Sequence, residues 1–228
     1  MLSAILVAGG SSQRMGFDKL FAVIAGEPVI AHPIRAFERA TSVREIVVVA
    51  REDRHDEIRK ISRDRGLKKV LSIVPGGERR QDSVRAGLDR INHGAKYVAV
   101  HDAARPLITP EQIERAFAQC RVHGAAALAQ PVNDTLKRAD ADLLVVGSVD
   151  RRQLYAMQTP QIFQRKLLED AYRAVYAENI LVTDEVSAVE RLGRKIALVL
   201  NDDFNFKITY PHDLPVADFI LKLRSSPP

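Results

Sequence analysis

The sequence predicts an α/β fold: a mostly parallel central sheet flanked by helices, with one β-hairpin arm leaving the main body. Three observations carry this. Short apolar runs recur at Leu2–Val7, Glu45–Ala50, Lys69–Val74, Tyr97–Val100 and Ala125–Gln130. Segments of helical spacing separate them, as right-handed βαβ crossovers require. Between Asn133 and Arg152 that alternation stops, and two strand-like pieces flank a polar turn with no helix long enough for a crossover.

Each element has a local reason. Leu2–Val7 reads as a buried strand that breaks into Ala8-Gly9-Gly10-Ser11-Ser12. Pro28–Ala40 places Val29, Ile30, Ile34 and Phe37 on one helical face, with Pro33 near the start, where a missing N–H does least harm. Asp53–Arg65 reads as a charged, exposed helix closed by Gly66. Lys69–Val74 ends at Pro75-Gly76-Gly77, before a helix over Gln81–Ile91. Tyr97–Val100 runs directly into His101-Asp102-Ala103-Ala104-Arg105-Pro106. Thr109 followed by Pro110 predicts an N-cap with proline at the first helical position, the helix reaching about His123. In the arm, Thr135–Arg138 and Leu143–Val149 surround the turn Ala139–Asp142. Helices over Arg165–Glu178 and Asp184–Leu192, a strand at Ile196–Leu200 and a helix over His212–Arg224 complete the chain, with Ser225–Pro228 expected to fray.

A chain of 228 residues suits a single domain spanning 1–228, with the arm at about 133–152 as its excursion. Apolar residues at 46% and charged residues at 28% are ordinary for a soluble globular protein. The net charge of +5 reads either as a solvated surface or as a cleft for anionic substrates. Nucleic acid is disfavoured as a partner, because the basic residues are spread out and no basic tract is interleaved with aromatics. Cys120 is the single cysteine, so no disulfide forms within the chain and a reducing, cytoplasmic setting is expected. The first ten residues lack a basic start, and their apolar run is too short for a signal peptide or a membrane span.

Ligands on parallel α/β sheets bind at the carboxyl ends of the strands. Four suggestive stretches fall there: Ala8–Lys19, Gly76–Ser83, His101–Pro106 and Gln130–Thr135. The first offers backbone N–H groups in a loop of small residues, then two cations, Arg14 and Lys19, suited to a polyphosphate. It matches neither a P-loop nor a dinucleotide fingerprint, and its glycines also suit a plain tight turn. Asp102, at a strand end, suits Mg²⁺ on substrate phosphates; it equally suits a turn cap or a pair with Arg105. His101 reads as a packed residue rather than a base. Gly76–Ser83 suits a base lying against the backbone, or a loop leading into an N-capped helix. Arg151 and Lys207 read as phosphate ligands or as surface charges.

Taken together, the motifs resemble the 2-C-methyl-D-erythritol 4-phosphate cytidylyltransferase family. They are AGGSSQRMGFDK at 8–19, RRQDSVRAGL at 79–88, HDAARP at 101–106, PVNDTLKR at 131–138, VDRRQL at 149–154, QTPQIF at 158–163, TDE at 183–185 and NFKIT at 205–209. The resemblance implies a Rossmann-like nucleotidyltransferase fold and transfer of CMP from CTP to a sugar-alcohol phosphate, with Mg²⁺ and release of pyrophosphate. By motif position, Arg14 and Lys19 would stabilise the transition state, and Arg151 and Lys207 would position the acceptor phosphate. Ala8, Gly9, Gly10, Gly77, Glu78 and Ser83 would hold the cytidine. Asp102 would serve both the metal and the substrate, with Arg105 beside it, and Thr135, Thr159 and Thr183 would lie near the acceptor. A homodimer is implied too, in which the arm brings Arg151 to the neighbouring active site.

One departure stands out. The spacer between Arg14 and Lys19 is shorter than is usual in the family, and Asp18 replaces a proline before the lysine. This compact form also resembles guanylyltransferases of molybdenum-cofactor synthesis, against which HDAARP, QTPQ and NFKIT argue. A ribitol 5-phosphate cytidylyltransferase and a non-catalytic nucleotide-binding protein on the same scaffold are the alternatives. Ala104 favours erythritol over ribitol.

Overall fold

A computed structural model describes residues 1–10 and 15–225 of the chain. The strands are β1 (Leu2–Ala8), β2 (Val23–Ile24), β3 (Glu27–Pro28), β4 (Val43–Ala50), β5 (Val70–Pro75), β6 (Tyr97–Asp102), β7 (Ala125–Pro131), β8 (Leu136–Ala139), β9 (Val145–Val149), β10 (Tyr155–Gln164) and β11 (Ala197–Leu200). The helices are α1 (Ala31–Arg39), α2 (His55–Asp64), α3 (Arg80–Leu88), α4 (Pro110–His123), α5 (Arg165–Ala177), α6 (Glu185–Glu190) and α7 (Asp213–Ser225).

Seven strands form the central sheet in the order β11-β7-β10-β6-β1-β4-β5. Its pairings are parallel except those of β10, which runs antiparallel to β6 and β7. Side-chain alternation builds a core on each face. Ala4 and Leu6 of β1 belong to the cluster that includes α1, α2, α4 and α7, whereas Ile5 joins α3, α5 and α6. Gly87 allows α3 to press on β1, since a Cβ there would lie 2.6 Å from Ile5 Cγ2. Among the described residues no helix is long and apolar enough to cross a membrane.

Several local expectations hold. Thr109 Oγ1 accepts from the Gln112 N–H at 3.3 Å and Gln112 Oε1 accepts from the Thr109 N–H at 3.0 Å, a reciprocal cap on α4. The 133–152 segment is a hairpin that forms its own two-stranded sheet, β8 with β9. Its turn lies later than expected: Asp140 Oδ1 accepts from the Asp142 and Leu144 N–H groups, which takes Leu143 and Leu144 out of the strand.

Two expectations need correction. The helix predicted from Pro28 starts at Ala31. A turn through Ala25 (φ 47) and Gly26 (φ 79) folds Glu27–Pro28 back against Val23–Ile24. The sequence also concealed β10, a ten-residue strand between the hairpin and α5. Pro160 and the glutamines at 158 and 161 disguise it, yet both glutamines are buried and hydrogen-bonded. The terminal residues 226–228 lie outside the described residues.

Candidate active site

The ends of β1 and β6, the loop after β5 and the stretch after β11 enclose a cleft of about 390 Å³, a volume suited to a small-molecule ligand. It brings together nine of the predicted residues: Ala8, Gly9, Gly10, Lys19, Gly77, Glu78, Ser83, Asp102 and Lys207. A hollow of about 630 Å³ along the outer edge of β5 takes in none of them. Arg14 lies outside the described residues. Thr135, Arg151 and Thr183 are exposed and do not line the cleft in this chain. The Arg151 guanidinium donates to the Asn133 carbonyl within the hairpin base.

Asp102 is the electrostatic centre, and a buried relay sets its position. Its backbone N–H donates to Thr159 Oγ1 at 3.1 Å, and the Thr159 hydroxyl lies 2.9 Å from His101 Nδ1. The other ring nitrogen, Nε2, faces the Arg105 carbonyl at 3.3 Å. A carbonyl only accepts, so Nε2 carries the proton and Nδ1 accepts from Thr159. His101 is wholly buried beside Phe37, and burial pulls its pKa down to about 3, so the ring is neutral. Thr159 therefore stands behind Asp102, with its hydroxyl spent on this relay.

Three cations surround the Asp102 carboxylate. Lys207 Nζ is 3.0 Å from Oδ2, Arg80 Nη2 is 3.3 Å from Oδ1, and Arg105 Nε is 3.7 Å from Oδ2. Burial alone would push this carboxyl up; Arg80, Lys207 and Arg105 outweigh it and hold it well below the usual carboxylate range. Arg105 also donates from Nη1 to the Asn205 carbonyl at 2.8 Å.

Arg80 and Glu185 escaped the sequence reading. Arg80 lines the cleft and grips Glu185 with two bonds, Nη1 to Oε1 at 2.5 Å and Nη2 to Oε2 at 3.0 Å. Glu185 is fully buried and accepts a third bond from the Tyr172 hydroxyl at 2.9 Å. The available signals were the second arginine of Arg79-Arg80, directly at a helix start, and the acidic pair Asp184-Glu185.

Lys207 and Lys19 both line the cleft. Asn205 donates to the Thr159 carbonyl at 2.8 Å, and the Ile208 N–H donates to the Ala104 carbonyl at 2.8 Å. These anchors flank Lys207 and leave its side chain facing Asp102. Lys19 Nζ donates to the Ile208 carbonyl at 2.6 Å.

The remaining wall is backbone. Ser83 Oγ accepts from the Gly77 N–H at 3.1 Å, and a Cβ on Gly77 would lie 2.4 Å from Asp82 Cβ. Asp82, held at about 2 by Arg79 and by the Tyr176 hydroxyl, fixes the start of α3. A Cβ on Gly9 would already touch Ser83 Oγ at 3.4 Å, so the two loops form the sides of a narrow slot.

The chain is similar to known proteins over nearly its whole length. The family model described as 2-C-methyl-D-erythritol 4-phosphate cytidylyltransferase matches residues 2–223. A protein of that name from Caldanaerobacter subterraneus subsp. tengcongensis is 40% identical, over 97% of this chain and 99% of its own. One from Pelotomaculum thermopropionicum is 38% identical, over 98% and 95%. Among solved structures, the 4-diphosphocytidyl-2C-methyl-D-erythritol synthase of Anaerococcus prevotii superposes with a TM-score of 0.85 at 29% identity, covering 97% of this chain and 96% of that one. On a matching family model over nearly the whole chain, and relatives well above 30% identity, this protein belongs to the 2-C-methyl-D-erythritol 4-phosphate cytidylyltransferase family.

Proposed function

We propose that this cleft transfers CMP from CTP to 2-C-methyl-D-erythritol 4-phosphate, giving 4-diphosphocytidyl-2-C-methyl-D-erythritol and pyrophosphate for isoprenoid precursor synthesis. The observation that carries the reading is a single cleft lined by Lys19, by Lys207 and Arg80 paired to Asp102, and by Gly9, Gly77 and Ser83. A phosphate monoester with a second pKa of about 6 is already nucleophilic at neutral pH, so no protein base is required. Its oxygen forms a bond to the α-phosphorus while the bond to pyrophosphate breaks. Catalysis then consists of aligning two anions and neutralising the charge that develops.

Lys19, with Arg14, acts on the transferred phosphoryl group, and Lys207, with Arg151, receives the acceptor phosphate. The slot backbone reads the pyrimidine. Asp102 suits a share in Mg²⁺ carried by the triphosphate, because that ion takes one or two carboxylates with phosphate oxygens. When bound, it supplies further charge neutralisation at the phosphates. In a cytoplasmic homodimer, arm exchange would bring Arg151, Thr135 and the exposed Leu143–Val146 of one hairpin to the partner. Support comes from their exposure and from Arg151 standing outside the cleft lining in this chain.

The test is pyrophosphate release from CTP with Mg²⁺, offering 2-C-methyl-D-erythritol 4-phosphate and ribitol 5-phosphate as acceptors separately. Release with the methylerythritol acceptor is expected. Release with ribitol phosphate alone would move the acceptor assignment, and none with either would overturn the reading.

A further inference from the structure

Asp18 replaces the proline expected before Lys19, and its surroundings show how the shortened turn is held. Its side chain is only 14% exposed. Oδ2 accepts from Arg51 Nη2 at 3.0 Å and from Arg54 Nε at 2.9 Å, while Oδ1 accepts from the Leu20 N–H at 3.3 Å. The Asp18 carbonyl accepts from the Phe21 N–H at 3.2 Å. Both arginines come from the loop after β4, and the Arg54 guanidinium also lies 4.7 Å from the centre of the Phe21 ring. Leu20, buried, accepts from the Ile30 N–H at 3.0 Å. Lys19 thus leaves a turn whose backbone is pinned on both sides.

We infer that Asp18 is a positioning residue for Lys19: the Asp18–Arg51–Arg54 ion cluster fixes the turn from which the Lys19 ammonium enters the cleft. A proline would restrict this backbone covalently; here charge does so instead. Isolated surface pairs contribute little, but a mostly buried carboxylate shared by two guanidiniums is a network with fixed geometry. The inference rests on the reading that Lys19 acts on the transferred phosphoryl group.

The experiment is a double-mutant cycle between Asp18→Asn and Lys19→Ala, read as kcat and as KM for CTP. Asparagine keeps the acceptor for the Leu20 N–H and the volume, and removes only the charge that holds the arginines. Asp18→Asn is expected to lower kcat about 10-fold with KM changed less than about twofold, the scale of a misplaced catalytic group. In the Lys19→Ala background the same change is expected to cost less than about twofold, because its effect passes through the lysine. Arg51→Gln combined with Arg54→Gln should reproduce the kcat loss and serves if Asp18→Asn fails to fold. Wild-type kcat in both the Asp18→Asn and the paired arginine variants, or equal losses with and without Lys19, would overturn the inference. Wild-type turnover in Lys19→Ala alone would instead show that the reading of Lys19 is wrong, and the inference would fall with it.

Discussion

The cleft and the hairpin differ in how their residues are held. In the cleft the charged side chains have buried anchors behind them. Asp102 rests on Thr159 and His101, Arg80 on Glu185 and Tyr172, and Lys207 on Asn205 and Ile208. On the hairpin side Thr135 and Arg151 are exposed, and the hairpin carries Leu143 at 85% and Val145 at 66% exposure. Preorganisation lowers the cost of ordering charge around a transition state. One chain therefore preassembles the cleft, while the hairpin leaves its polar and apolar side chains exposed. An exposed apolar run of this kind normally marks an interaction surface.

The largest expected effect tests the preassembled cleft. Lys19→Ala should lower kcat about 100-fold, the scale of losing one donor to a developing oxyanion. Pyrophosphate release under saturating CTP measures it, and a near-normal rate would mean that another cation does this work.

Next comes the hairpin. Arg151→Ala should lower kcat/KM for the acceptor about 30-fold, on the scale of a lost charge-assisted contact. If Arg151 serves the neighbouring subunit, an equal mixture of Arg151→Ala and Lys19→Ala chains recovers activity. Half of the dimers are then mixed and each has one intact site, so about a quarter of wild-type activity should return. No recovery, with mixed dimers verified by mass, would place both residues at one chain's own site and abolish the contrast.

A smaller effect is expected at the base wall. Gly77→Ala forces a Cβ to within 2.4 Å of Asp82 Cβ, so the loop must shift. KM for CTP should rise about 10-fold while turnover at saturation falls little, since ground-state and transition-state binding are lost together. A purely turnover-based loss would show that this wall acts on the chemistry instead.

The same contrast explains what could be read from sequence. β-branched or small apolar runs revealed β1, β4, β6 and β7, because burial on both faces demands such residues. β10 stayed hidden since Pro160, Gln158 and Gln161 look like loop residues, and their hydrogen bonds to Asn201 and Asp184 exist only in the folded chain. At the site, Lys19, Asp102 and Lys207 were legible as polar residues beside strand ends or within a distinctive motif. The Arg80–Glu185 pair was not, because its partners stand 105 residues apart and each looks like an ordinary surface charge. Thr135, Arg151 and Thr183 came from motif position alone; in the folded chain their side chains are exposed and stand outside the cleft lining.

The smallest expected effect concerns stability and probes the anchor beneath Asp102. His101 is neutral because burial lowers its pKa to about 3, whereas an unfolded histidine titrates near 6.5. Between these values the unfolded chain binds a proton that the folded chain refuses, so stability is complete above the unfolded value and declines as pH falls below it. The slope from this one group is at most about 1.4 kcal/mol per pH unit, so roughly 1 kcal/mol should disappear between pH 6.5 and 5.5. His32, lowered by burial too, adds in the same direction. Asp102 contributes only at lower pH: its carboxyl is depressed, so its share is present above the usual carboxylate value and lost on going below it. Denaturant unfolding from pH 7 to 5 should therefore show a slope that His101→Asn reduces by about half, whatever that variant costs in absolute stability. An unchanged slope would mean that His101 takes up a proton in the folded chain, and that the relay fixing Asp102 is less dry than its burial implies.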